Sequence, residues 1–242
     1  MSMIIKKELL MLTRYKMQTI NIYLFPFFLI APYILVSEYY QIEGNILMNM
    51  IMWVWLCQLL FGISNGIGEL RIEGTFSNII MGPCGLTGYL FYKYIFHIID
   101  CSIITTTTLI LSKVFLNVTV DHPLLFILEC IVFSLGLFAF GMFFAVLVLR
   151  YKRVKSLNYF LQQIFGFLSG YTNDVYKFPS TLRFFSFLIP LTYAIVFFNK
   201  TYTNELIFIF LLVITILYLV IGNKLLNKEL NNMRKKGEIE QW

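Results

Sequence analysis

Hydropathy along the chain alternates between apolar stretches of membrane-crossing length and short polar breaks. Over residues 1–18, Ile4, Ile5, Leu9, Leu10 and Leu12 are interleaved with Lys6, Lys7, Glu8, Arg14 and Lys16. Apolar positions about one turn apart, flanked by basic side chains, predict a helix lying in the membrane interface. The other reading of this segment is a plain cytoplasmic extension of the first span. Six apolar stretches follow, over approximately 20–39, 46–67, 90–111, 124–149, 157–172 and 206–222. Each is near the roughly 20 residues that a bilayer requires, the fifth being the shortest. Pro26 and Pro32 lie in the first and predict a kink or local irregularity there. The segment 173–205 is too apolar for a solvated loop, yet Pro179 and Pro190 interrupt it. Two short re-entrant helices dipping into the outer leaflet fit it, because irregular backbone at that depth must be covered by protein. One additional short span is the alternative, and it would put the C-terminus outside. The predicted fold class is therefore all-α. It is a polytopic membrane protein with six transmembrane helices, an N-terminal interfacial helix and re-entrant helices between spans five and six. A single transmembrane domain covers 1–242, with a basic tail over 223–242 and no internal repeat.

Composition excludes a soluble domain. The 242 residues are 59% hydrophobic and only 13% charged, with mean hydropathy +0.76. Soluble domains carry about 45–50% apolar and about 25% charged residues. The apolar runs also exceed by far the 9–11 residues of a barrel strand. The net charge of +6 does not indicate nucleic acid, because Lys and Arg in membrane proteins collect on cytoplasmic segments and set orientation. With the N-terminus inside, the inner segments hold Lys6, Lys7, Arg14, Lys16, Arg71, Lys93, Arg150, Lys152, Arg153, Lys155, Lys224, Lys228, Arg234, Lys235 and Lys236. The outer segments hold only Lys113, Lys177, Arg183 and Lys200. Fifteen against four of the 19 basic residues predicts that both termini are cytoplasmic, as is the break at 69–93. Cys57, Cys84, Cys101 and Cys130 show no C-x-x-C spacing, so neither disulfides nor a metal site is expected. The amphipathic stretch before the first span argues against a cleaved signal.

The break at 69–93 reads E-L-R-I-E-G-T-F-S-N-I-I-M-G-P-C-G-L-T-G-Y-L-F-Y-K. Glu69, Arg71 and Glu73 cluster there between two long apolar runs, and Gly74 and Pro83 are expected to limit a short helix. Farther on, His97 and Asp100 lie one turn apart on the third span. Ionisable groups at membrane depth are functional candidates. A polar helix–helix contact is the other explanation, and the weightier one here. Glu129 is accounted for by exposure near the outer interface. The hydroxyls of Thr105 to Thr108 are expected to bond back to their own helix. Gly62, Gly66 and Gly68 form no nucleotide-binding motif, and close helix packing or a bend explains them better. The N-x-T triplets at Asn117 and Asn199 are ascribed to chance.

At 69–93 the chain resembles the permease subunits of the ABC-2 type family of ABC transporters. Those permeases carry an acid/Arg cluster, then G-T, a Pro nine residues after the Gly, and a Lys ten residues beyond. Here these are Glu69, Arg71, Glu73, Gly74, Thr75, Pro83 and Lys93. A second match is the family's P-x-W-L followed by P-L-T-[YH], represented by Pro179, Thr181 and Leu182, then Pro190, Leu191, Thr192 and Tyr193. Ile72 stands where an acid commonly follows the Arg, and Thr181 replaces the Trp. The resemblance implies a non-catalytic transmembrane unit in the plasma membrane. It would pair with a second permease, identical or homologous, and with two cytoplasmic ABC ATPase subunits that hold the ATP and Mg. This chain itself would bind no cofactor. It further implies that Glu69, Arg71, Glu73, Gly74, Thr75 and Pro83 form the coupling region to the ATPase. Pro179, Leu182, Pro190 and Tyr193 would belong to an external gate, and His97 and Asp100 are candidates for a pathway.

The implied activity is export of an amphipathic substrate such as an antimicrobial peptide, drug or lipid. Export of a cell-surface polysaccharide or lipid-linked glycan is the nearest alternative. A secondary transporter would carry paired broken repeats and midplane charges, neither of which is evident. An intramembrane enzyme would need convergent groups at depth, and Glu129 is expected on the opposite side of the bilayer from His97 and Asp100.

Overall fold

The computed structural model describes residues 10, 12–39, 46–118, 120, 122–150, 155–171, 174–199 and 204–236. Every regular element among them is helical, with no strand. The helices are α1 (Lys16–Tyr39), α2 (Ile46–Ile72), α3 (Phe76–Met81), α4 (Gly85–Leu116) and α5 (Pro123–Arg150). They continue with α6 (Lys155–Ser169), a 3-10 turn (Val175–Lys177), α7 (Ser180–Phe187), α8 (Pro190–Phe198) and α9 (Asn204–Lys236). Four of them contain stretches long and apolar enough to cross a bilayer: Thr19–Val36, Gly85–Leu116, Pro123–Arg150 and Ile207–Lys235. The α7–α8 pair, bent by 102°, makes a fifth if it is taken as one broken span. The chain is thus a helical, multi-pass membrane protein.

Helix α2 lies at the centre. Met50, Ile51, Met52, Trp55, Leu56 and Leu59 are all but fully buried, and the helix packs against α1, α4, α5, α6 and α8. Lipid is as apolar as these side chains, so van der Waals fit and polar pairs hold such a bundle together rather than the hydrophobic effect. Trp55 Nε1 donates to Thr105 Oγ1 at 2.8 Å, and the Tyr94 and Ser134 hydroxyls lie 2.9 Å apart. Helices α5 and α9 run together over much of their length. At Gly222 their backbones approach so closely that a Cβ would lie 3.1 Å from the Phe143 amide nitrogen. Outward faces remain apolar, as Phe25 and Phe28 on α1 and Ile209, Phe210 and Leu212 on α9 illustrate.

Three of the predicted segments deserve a closer description. Helix α6 has 15 residues, about 22 Å at the helical rise, which falls short of a hydrocarbon core of about 30 Å. Among the described residues, the fifth predicted stretch is therefore shorter than a full crossing. Helix α1 continues through both Pro26 and Pro32. The basic tail is a continuation of α9 as far as Lys236, because no Gly or Pro stands between Gly222 and Gly237 to stop the helix. The interfacial segment 1–18 lies largely outside the described residues, although Leu10 and residues 12–14 are helical.

Candidate functional site

The 69–93 segment folds as the end of α2, a tight turn, the six-residue α3, a second turn and the start of α4. Gly74 adopts φ +67°. Its amide donates to the Arg71 carbonyl at 3.1 Å, and the Thr75 amide donates to the Leu70 carbonyl at 2.9 Å. This pair of bonds is a Schellman motif, which requires a left-handed residue just past the helix end. Helix α3 then runs from Phe76 to Met81, between Gly74 and Pro83, burying Phe76 and Ile80. A second left-handed glycine, Gly85 at φ +58°, opens α4. The chain therefore returns after fewer than two turns of helix, leaving α3 as a short platform between α2 and α4.

The charged residues of this region point in different directions. Glu69 accepts a salt bridge from Lys93 at 3.2 Å, with Lys93 nearly buried and Glu69 half exposed. Gly66 makes room for it, since a Cβ there would lie 3.3 Å from Lys93 Cε. Arg71 turns inward. Its Nη1 donates to the Val148 carbonyl at 3.3 Å and its Nη2 to the Leu149 carbonyl at 3.1 Å. Its Cζ stands 5.0 Å from the centre of the Phe76 ring. Arg71 lies beyond the apolar stretch of α2, and burial pushes its guanidinium down to about 10, so it stays cationic at neutral pH. Glu73, Gly74 and Pro83 are exposed and Thr75 is half-buried. Between them Ile72 and Met81 present apolar side chains at 83% and 74% exposure.

His97 and Asp100 do not form one polar site. Asp100 is buried and accepts a 2.8 Å hydrogen bond from the Tyr23 hydroxyl, joining α4 to α1. The His97 ring packs onto Gly62 of α2, where a Cβ would overlap the imidazole. Neither of its ring nitrogens has a hydrogen-bond partner among the described residues. Thr105, Thr106 and Thr107 bond back to the carbonyls of Cys101, Ser102 and Ile104. The four cysteines are free. Among the described residues no three His, Cys, Asp or Glu side chains converge as a metal site requires.

The second cluster sits at the break between α7 and α8. Pro179 precedes α7 and Pro190 is the first residue of α8. The break exposes carbonyls at the end of α7, and hydroxyls from two elements satisfy them. Thr192 Oγ1 donates to Ser186 O at 2.6 Å, Tyr193 OH to Phe187 O at 2.8 Å, and Tyr218 OH of α9 to Leu188 O at 2.9 Å. Arg183 closes the preceding turn by donating to the Tyr176 and Phe178 carbonyls. Leu182 is on the outward side of α7 at 39% exposure. Thr192 and Tyr193 stand inside the P-L-T-Y string, but sequence reasoning assigned no task to the Thr. Nothing in the sequence marked Tyr218, thirty residues from its acceptor, or Phe76 as the seat of the Arg71 guanidinium. No family model, curated protein or solved structure matches the chain.

Proposed function

We propose that the chain is the transmembrane subunit of an ATP-driven exporter of the ABC-2 type. In this reading it has six spans in the plasma membrane, both termini are cytoplasmic, and it pairs with a second permease. Two cytoplasmic ATPase subunits bind ATP and Mg and supply the energy, and the cargo is an amphipathic peptide, drug or lipid. The observation that carries the reading is the platform at 69–93. A short helix, held by a Schellman turn at Gly74 and a Gly-Pro turn at Pro83, joins two long apolar helices. It lies on the side where Lys and Arg concentrate. Closure of an ATPase dimer must reach the bilayer through a rigid cytoplasmic contact, and rigid-body rocking of helices is the usual response. Ile72, Glu73 and Met81 provide an exposed apolar and acidic face for that contact. The hydroxyl-capped break between α7 and α8 supports the reading on the other side, as irregular backbone held within protein near the exit.

The deciding experiment is extraction of the native chain in mild detergent, followed by identification of what co-purifies. An ATPase, together with ATP-dependent transport in inverted vesicles, is the expected result. Charge reversal at Glu69 or Arg71 should leave membrane insertion intact and uncouple hydrolysis from transport. Transport driven by an ion gradient with no ATPase present would sink the proposal in favour of a secondary transporter.

A further inference from the structure

Arg71 sits in the acid/Arg cluster, where the obvious role is a direct contact with the ATPase, but its geometry gives it another task. Its two terminal nitrogens each reach a different carbonyl, those of Val148 and Leu149. Both acceptors belong to the last turn of α5 (Pro123–Arg150). The last four carbonyls of a helix have no partner within it, and the negative end of the helix dipole lies there. A cation at this point therefore gives two carbonyls charge-assisted donors and opposes the dipole together. The guanidinium face meanwhile rests against the ring of Phe76, the first residue of α3 and 3% exposed. One side chain thus touches three elements: α2, which carries it, α3, on whose ring it rests, and α5, two of whose carbonyls it holds. Helix α5 in turn packs along α9 and against α8, whose break the Tyr218 hydroxyl of α9 helps to cap.

We propose that Arg71 is a positioning residue that ties the short helix α3 to the cytoplasmic end of α5. The movement of α3 then reaches α5, α8 and α9 as well as the two helices continuous with it. The partner meets the neighbouring exposed residues Ile72, Glu73 and Met81 instead of this guanidinium. The identity of the partner rests on the exporter reading, whereas the tie within the chain does not. Lysine is no substitute, because a single ammonium on a flexible stem has neither the planar fork for two carbonyls nor the flat face for the ring.

The test has two arms. In the first, the chain alone is placed in nanodiscs with spin labels on the exposed native Cys84 and on Arg150→Cys, with Cys57→Ser to remove the half-buried thiol. With Arg71 present the distance distribution between the two turns is narrow. With R71A it broadens, and with R71K it stays broad although the charge is kept. A narrow distribution in R71A overturns the tie, and a narrow one in R71K overturns the role of the fork. In the second arm the chain is purified with its co-purifying ATPase. R71A should retain the ATPase at the wild-type ratio, while trapping with ATP and vanadate no longer shifts the distance between the two labels. M81D should lose the ATPase. Loss of the ATPase in R71A with an unchanged distance distribution would make Arg71 a direct contact and overturn the proposal. If no ATPase accompanies the wild-type chain, the exporter reading fails, and the first arm still decides the tie.

Discussion

A methyl group added at Gly62 would overlap the His97 imidazole, whereas one added at Gly74 would meet nothing within 4 Å. The two glycines are needed for different physical reasons, and substitution separates them. At Gly74 the demand is on the backbone alone, since φ is +67°. Gly74→Ala should lower stability by about 1–2 kcal/mol through the left-handed conformation, read as a fall in unfolding temperature in detergent. Gly74→Asn should recover part of the loss, because Asn tolerates that region. At Gly62 the demand is space. Gly62→Ala should cost about 1–3 kcal/mol by overpacking α2 against α4. The double variant G62A/H97A should be more stable than the sum of its single effects predicts, since the clash is gone. Simple additivity in that cycle would show that the two residues do not limit each other's volume.

The break between α7 and α8 raises the same accounting for whole elements. A helix end leaves carbonyls with no partner inside the helix, and here side chains supply the donors. Thr192 and Tyr193 come from the first turn of α8 and Tyr218 from α9. Tyr193→Phe keeps the ring and removes the donor to Phe187 O. It should cost roughly 1–3 kcal/mol, the penalty of a buried acceptor left unsatisfied, and speed amide exchange around 185–190. An unchanged exchange pattern would mean that another donor takes over. Proline placement made the break legible in advance, because Pro190 cannot continue α7 and suits the start of a new helix. The donors were less legible. A hydroxyl pattern such as P-L-T-Y is equally compatible with lipid-interface side chains, and only the 102° bend brings those oxygens onto the carbonyls.

For the whole molecule, orientation is the property that charge alone sets. Reporters fused at either terminus should read as cytoplasmic, and Lys113 and Lys177 should label from outside in intact cells. A C-terminal reporter found outside would mean an odd number of crossings and would require α6 or the α7–α8 pair to be counted differently. Much of the architecture was determined along the chain itself. Apolar stretches of bilayer length, the segments where Lys and Arg collect, the glycine and proline limits of α3 and the interruption at Pro190 are all local or additive properties. Hydropathy, charge counts and backbone conformation need no knowledge of neighbours. The tertiary structure decided which polar groups meet. It paired Lys93 with Glu69, gave Asp100 to Tyr23, and left the His97 nitrogens against Gly62. It also turned Arg71 away from the surface and onto the Val148 and Leu149 carbonyls of α5. In lipid the favourable contacts between helices are short-ranged packing and hydrogen bonds, so partners are chosen by side chains brought close in space from distant parts of the chain. The 69–93 segment could therefore be located from its spacing, while the directions of its charges were set only when α2, α3 and α5 came together.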